Sequence, residues 1–163
     1  MTATSRTRPN PPTVRLVSLP ADARALSTLP RIDYADAFRV TANAPHSAEH
    51  WARAVLQDAP PSVRRRLLAG WTGIGLKLQP WSSTRVLGWR VRRDEPDFVL
   101  LSADSWLGFR GELLFRSQPH GLLFATFVQQ TNPITRAMWA AITPRHQATV
   151  RSLLTHAARR QGG

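Results

Sequence analysis

The stretch "HSAEH", residues 46–50, holds the residue types of a metal-dependent hydrolase. It fits H-x-x-E-H, the pattern in which inverted zinc peptidases place two histidine ligands and a catalytic glutamate on one helix. Ser47 is a natural helix N-cap, which would leave His46 outside the helix and on a different face from His50. The only later glutamates, Glu95 and Glu112, fall in a predicted turn and a predicted strand. We therefore predict no metal site here and assign the motif's glutamate to the helix dipole.

His146 is the one candidate for acid–base chemistry. It lies on an apolar stripe spaced by three and four residues, which predicts one face of a long C-terminal helix: Trp139, Ile142, His146, Val150, Leu153 and Ala157. One interpretation is a core histidine bonded to a backbone carbonyl or to the surroundings of Trp139. The other is a cavity residue that orients a polar ligand or acts as an acid or base. The catalytic assignment stays open between them.

Further candidate ligand contacts lie in "FRGELLF", residues 109–115. Strand alternation places Glu112 on one face with Arg116, and Phe115 on the other face. Arg110 and Arg116 could pair with Glu112 on the outside of a sheet, or these polar groups could bind ligand if that face turns inward. Trp106, at a hairpin turn, is a candidate for a pocket wall. The predicted ligand-binding set is Trp106, Trp139, His146, Glu112, Arg110, Phe115 and Ile142.

The composition predicts a single domain without disulfides. The chain has 163 residues and no cysteine, which suits a reducing, cytoplasmic setting. Its net charge is +12, and Lys77 is the only lysine. We interpret the arginine bias as that of a GC-rich bacterium, and Arg64–Arg66 as a solvated helix face with Arg65 and Arg66 pointing away from the apolar stripe. Weak electrostatic binding to nucleic acid or an anionic membrane is a secondary expectation. We predict no cofactor and no transmembrane segment.

Hydrophobic periodicity predicts an α+β domain over residues 31–160, after a disordered or weakly ordered segment over residues 1–30. Tyr34–Val40 is the first predicted strand, although Asp36 interrupts its apolar side. Two short helices follow, the second capped by Ser62. Four strand-like runs with short connections then predict an antiparallel meander. The long C-terminal helix contains Pro144, which either kinks one helix or begins a second.

This order of elements resembles the START-like, or helix-grip, superfamily, which includes polyketide cyclases and is also called SRPBCC. The sequence is most similar to an uncharacterised bacterial branch, through three stretches: "LGFRGELLF", "ATFV" and "RAMWAAITPRHQ". The resemblance covers residues 34–158 and implies a curved antiparallel sheet wrapped around the C-terminal helix, with an apolar cavity between them. It implies no catalytic residue set, because the superfamily shares a cavity and not a reaction.

Three functions follow as expectations. The first is a domain that binds a small apolar or amphipathic, lipid-like molecule in the cavity. The second is a cyclase- or hydratase-like enzyme on the same fold, using His146. The third is a basic adaptor for RNA, anionic lipid or an acidic protein, recognised by binding that collapses with salt.

Overall fold

The computed structural model describes residues 10–162, and it shows an α+β architecture built on one antiparallel sheet. The disorder or weak order predicted for residues 1–30 includes residues 1–9, which lie outside the described residues. Seven strands form the sheet: β1 (Thr13–Val17), β2 (Tyr34–Thr41), β3 (Arg85–Val86), β4 (Trp89–Asp94), β5 (Phe98–Asp104), β6 (Phe109–Gln118) and β7 (Gly121–Gln130).

Within residues 10–162 four α-helices accompany the sheet: α1 (Ala21–Arg24), α2 (Ala48–Ala52), α3 (Pro61–Gly73) and α4 (Pro133–Gln161). A π-helical turn, Arg53–Gln57, continues α2. The predicted cap Ser62 lies inside α3, because that helix begins at Pro61, whose fixed φ suits a first helical position. No helix within residues 10–162 is long and apolar enough to cross a membrane.

The sheet has the strand order β1-β2-β7-β6-β5-β4-β3, with every neighbouring pair antiparallel. The predicted meander is confirmed, since β3 to β7 are successive hairpins. The β6–β7 hairpin turns tightly at Gly121, whose φ is +140°. A Cβ atom there would lie 1.8 Å from the carbonyl oxygen of Val40, so no other residue fits without a backbone shift.

Both faces of the sheet are covered. The inner face carries Phe38, Phe115 and Phe124, which pack in one core with α2 and the C-terminal half of α4. The outer face carries a second core under the segment of residues 17–32: Ala37, Phe98, Leu100, Leu114, Leu123, Ala125 and Phe127. Side chains therefore alternate between two apolar environments, which explains why several strands are almost continuously buried.

Two features of the N-terminal region differ from the prediction. Thr13–Val17 forms an edge strand paired with β2, although residues 1–30 were expected to be weakly ordered. Its residues are exposed or half-buried, so the apolar signal of a strand is weak there. The two predicted helices consequently follow the second strand rather than the first.

The C-terminal segment is a single helix of 29 residues with Pro144 inside it. Asn132 caps its start, where the side chain accepts a hydrogen bond from the amide of Thr135 at 2.9 Å. Pro144 cannot donate to the carbonyl one turn earlier, yet the helix continues because later residues on its stripe are held by the inner core. The segment is therefore one helix that contains Pro144, and a second helix does not begin there.

Candidate functional site

The main cavity lies between α3, α4 and the inner face of the sheet. Its volume is about 840 Å³, within the range of small-molecule sites. Three tryptophans, Trp71, Trp89 and Trp139, lie in its wall. The remaining lining is mostly apolar, with a few polar residues: Thr126, Arg66, Arg145, His146, Thr149 and Ser152. This space is called the central cavity below.

The strand and helix periods explain why these residues meet. Tyr34, Asp36 and Phe38 lie two residues apart on β2 and therefore share the inner face. On α4 the stripe through Trp139 and His146 contacts Tyr34 and Asp36 beside the cavity. Helix α3 supplies the opposite wall through Leu67, Gly70, Trp71 and Ile74, which recur at helical spacing.

A polar cluster joins β2 to α4 at one side of the cavity. The Nε2 atom of His146 lies 3.1 Å from Oδ2 of Asp36, whose side chain is only 3% exposed. The hydroxyl of Tyr34 donates to the same carboxylate oxygen at 2.6 Å. The amide of Gln147 donates to that hydroxyl at 3.0 Å. We call these four residues the Asp36 network.

The Asp36 network has two properties relevant to proton chemistry. Burial, followed by the hydrogen bond to Asp36, raises the pKa of Tyr34 well above its usual range, so this phenol stays protonated at neutral pH. Nδ1 of His146 has no hydrogen-bond partner among residues 10–162. A histidine held at one nitrogen by a carboxylate has a defined orientation, and its second nitrogen is then available to another group.

Aromatic packing fixes the position of His146. Its ring centroid lies 5.1 Å from that of Trp139 and 6.1 Å from that of Tyr34. Trp139 also packs edge-on against Tyr34 and Phe109, at 5.3 and 5.9 Å between ring centroids. The histidine is thus bonded to a side-chain carboxylate rather than to the backbone carbonyl considered from the sequence.

The structure brings together three of the seven predicted ligand-binding residues. Trp139, Ile142 and His146 line the central cavity. Phe115 is on the inner face but fully buried against Phe124, outside the cavity wall. Arg110 is exposed on the other face of β6, 3.9 Å from Asp104.

Glu112 lies away from the cavity, because the alternation of β6 points it to the outer face. It is 1% exposed and accepts hydrogen bonds from Ser27 Oγ at 2.6 Å, from the Thr28 amide at 3.0 Å and from the Thr28 hydroxyl. Neither predicted arginine pairs with it, since Arg116 binds Asp22 at 2.6 Å instead. The segment of residues 17–32, which covers this face, was not recognised from the sequence.

Trp106 is also outside the cavity. It is 79% exposed in the turn before β6, and the ammonium of Lys77 sits 3.8 Å from its ring centroid. The backbone amide of Trp106 bonds to the carbonyl of Gly75, so the turn is tied to the segment after α3. The exposed indole therefore packs on Lys77 at the surface and does not form a pocket wall.

The "HSAEH" stretch folds around the predicted N-cap. Ser47 Oγ accepts from the amide of His50 at 3.1 Å, as expected. The two histidines nevertheless meet, because their rings stack with centroids 4.5 Å apart. Burial, and then the neighbouring His50, lower the pKa of His46. Glu49 pairs with Arg53 at 3.1 Å. In the described part of the chain, no three His, Cys, Asp or Glu side chains converge as a metal site would require.

Sequence reasoning missed several residues of the candidate site, among them Asp36 beside the cavity and Arg66 in its lining. Asp36 was noted only as an interruption of an apolar strand, and its partner lies 110 positions away. That interruption was the available signal, because a carboxylate on the buried side of a strand needs a partner. Arg66 was assigned to a solvated face, yet it lines the cavity at its exposed edge.

The fold and cavity define an α+β domain in which an antiparallel sheet and a long C-terminal helix enclose a ligand-sized space. Residues 28–153 match the family described as "Protein of unknown function (DUF2867)", and the chain therefore belongs to that family. The match spans β2 to most of α4, including every residue of the central cavity. The comparisons with curated proteins and with solved structures found no match.

Proposed function

We propose that this protein binds a small apolar or amphipathic molecule in the central cavity. The observation that carries the proposal is the cavity itself, about 840 Å³ and walled by three tryptophans. Protein interiors pack at the density of organic crystals, so a space of this size needs an occupant or water. Apolar contact would supply affinity, and the few polar groups would orient the ligand.

The same proposal includes a relationship of this chain to the START-like superfamily. An antiparallel sheet, a long C-terminal helix and a space between them are compatible with the helix-grip arrangement. The proposal also includes the bacterial origin and cytoplasmic location predicted from the composition.

Gly70 offers a direct test, because it lines the cavity on α3 and a Cβ there would meet nothing within 4 Å. In Gly70→Phe we expect the new ring to obstruct the mouth of the cavity, because Gly70 belongs to its lining, while helix propensity improves by about 0.5 kcal/mol. Gly73→Phe is the matched control: it lies on the same helix, has equally open surroundings and is outside the cavity lining.

The assay is titration with the neutral fluorophore N-phenyl-1-naphthylamine, beside native mass spectrometry of each purified protein. We expect Gly70→Phe to weaken probe binding at least about tenfold, the equivalent of 1.4 kcal/mol, and to lose any co-purified organic mass. Gly73→Phe should retain both. Equal binding by wild type and Gly70→Phe would refute the cavity as the site.

A second candidate function, an acid–base enzyme of the cyclase or hydratase type, is favoured by the Asp36–His146 hydrogen bond at 3.1 Å. His146 would accept or donate the proton at Nδ1, and Asp36 would orient the ring. The test uses the molecule that native mass spectrometry identifies. A change in its mass during incubation with wild type, absent with His146→Ala although binding is retained, would support this function. Unchanged ligand in both samples would reject it.

A further inference from the structure

The mouth of the central cavity has an unusual combination of residues. Five lining residues are exposed to solvent, two on α3 and three on α4: Arg66, Gly70, Arg145, Ala148 and Ser152. Three of them are small, and no Cβ obstructs the opening at Gly70. The two large side chains are both arginines, one from each helix.

The charge around this mouth is uncompensated. The cavity lining contains no aspartate or glutamate. Arg66 and Arg145 have no carboxylate within 4.0 Å among residues 10–162. Asp36, beside the cavity, is bonded to His146 and Tyr34 and forms an ion pair with neither arginine. The mouth therefore presents two free guanidinium groups above an apolar interior.

We infer that the ligand is an amphipathic anion, with its apolar body in the central cavity and one acidic head group between Arg66 and Arg145. This inference rests on the binding function proposed above and specifies the ligand class. An acidic group deep in the cavity would lose its hydration, which is costly, whereas at the mouth it keeps water and gains charge-assisted hydrogen bonds. Carboxylates and phosphates both accept such bonds from guanidinium groups.

The experiment compares probes of one chain length: dodecanoate, dodecyl phosphate and the neutral dodecan-1-ol, each below its aggregation concentration. Binding is followed by tryptophan fluorescence, because Trp71, Trp89 and Trp139 line the cavity. We expect at least one anionic probe to bind about tenfold or more tightly than the alcohol, and this preference to shrink as salt rises. The better anion indicates whether the natural head group is a carboxylate or a phosphate.

The variants are Arg66→Gln, Arg145→Gln and their combination, with Arg65→Gln as the control. Arg65 is exposed, adjacent to Arg66 and outside the cavity lining. The substitution Arg65→Gln therefore removes the same charge from the same helix without changing the cavity. Each cavity variant should weaken anion binding about three- to fivefold. The double variant should bind anion and alcohol equally, while Arg65→Gln keeps the preference.

Two results would overturn the inference. If dodecan-1-ol binds wild type as tightly as both anions, the ligand is not selected by charge, although the binding function stands. If the preference for an anion persists in the double variant, other cations bind the head group. Failure of all three probes to bind wild type would instead overturn the binding function together with the inference.

Discussion

Glu112 provides the sharpest test of how the N-terminal segment is attached to the sheet. This carboxylate is 1% exposed, and three donors from Ser27 and Thr28 converge on it. Within the described chain no cation lies within 4.0 Å of it, so these hydrogen bonds alone compensate its burial. The prediction concerns the free energy of unfolding of two variants, Glu112→Ala and Glu112→Gln.

The expected magnitudes follow from those donors. Glu112→Ala leaves up to three buried donors without an acceptor, at about 1–3 kcal/mol each, partly relieved when the segment loosens. We expect a loss of about 3–5 kcal/mol, against a total stability of about 5–15 kcal/mol for a domain. Glu112→Gln keeps the volume and one acceptor oxygen, and the hydroxyls of Ser27 and Thr28 can accept from the new amide. Only the charge assistance is lost, which should cost about 1–2 kcal/mol.

The assay is equilibrium unfolding in guanidinium chloride at pH 7, with Glu95→Gln as the matched control. Glu95 is 48% exposed and 3.9 Å from Arg93, so its loss should cost under about 0.5 kcal/mol. Combining Glu112→Gln with Ser27→Ala should give a coupling energy of at least about 0.5 kcal/mol. Hydrogen exchange in Glu112→Ala should accelerate in the segment of residues 17–32 and not in α4. A cost below about 1 kcal/mol for Glu112→Ala would refute this account of the outer face.

Three further predictions concern the inner face and its surroundings. Tyr34 is the only tyrosine, and its raised pKa means that tyrosinate absorbance should rise near pH 10 in unfolded protein but only at higher pH in folded protein. The stabilisation from neutral Tyr34 is full below about pH 10 and lost as pH rises above it; Tyr34→Phe should remove this alkaline loss. The lowered pKa of His46 predicts the reverse on the acid side: the contribution of neutral His46 to the free energy of unfolding is present above about pH 6.5 and is lost as pH falls. NMR titration of His46 and equilibrium unfolding at pH 5 measure this loss. Trp106→Ala should leave probe binding unchanged, whereas Trp139→Ala should abolish it and cost about 3–5 kcal/mol of stability.

The sheet and the C-terminal helix were predictable because local patterns specify them. Strands β4 to β7 have β-branched and large apolar residues separated by short turns, and antiparallel hairpins need no long-range information. The stripe through Trp139 and Val150 predicted α4 for the same reason. The helix also spans Pro144, which the pattern left open, because tertiary packing on both sides of the proline outweighs one lost hydrogen bond.

The candidate site was only half predictable, because its partners are distant in the chain. His146 and Trp139 were found through their own helix, while Asp36 was visible only as a polar residue in an apolar strand. Whether Glu112 faced the cavity depended on which face of β6 is inner, and alternation alone does not decide this when both faces are buried. The outer face is covered by the segment of residues 17–32. The apolar residues of this segment have no regular period, so its position could not be predicted from the sequence.

The distribution of side chains along α4 explains why a cavity exists at all. At one end Trp139 is packed against Phe109 and Val128. At the other end Leu154, Ala157 and Ala158 are packed into the inner core. Between these anchors Ile142 and Leu153 also line the cavity, but most of the α4 residues that line it there are polar or small: Arg145, His146, Ala148, Thr149 and Ser152. Small and polar side chains fill less of the space between helix and sheet than large apolar ones would, so the sequence of α4 contributes to the opening.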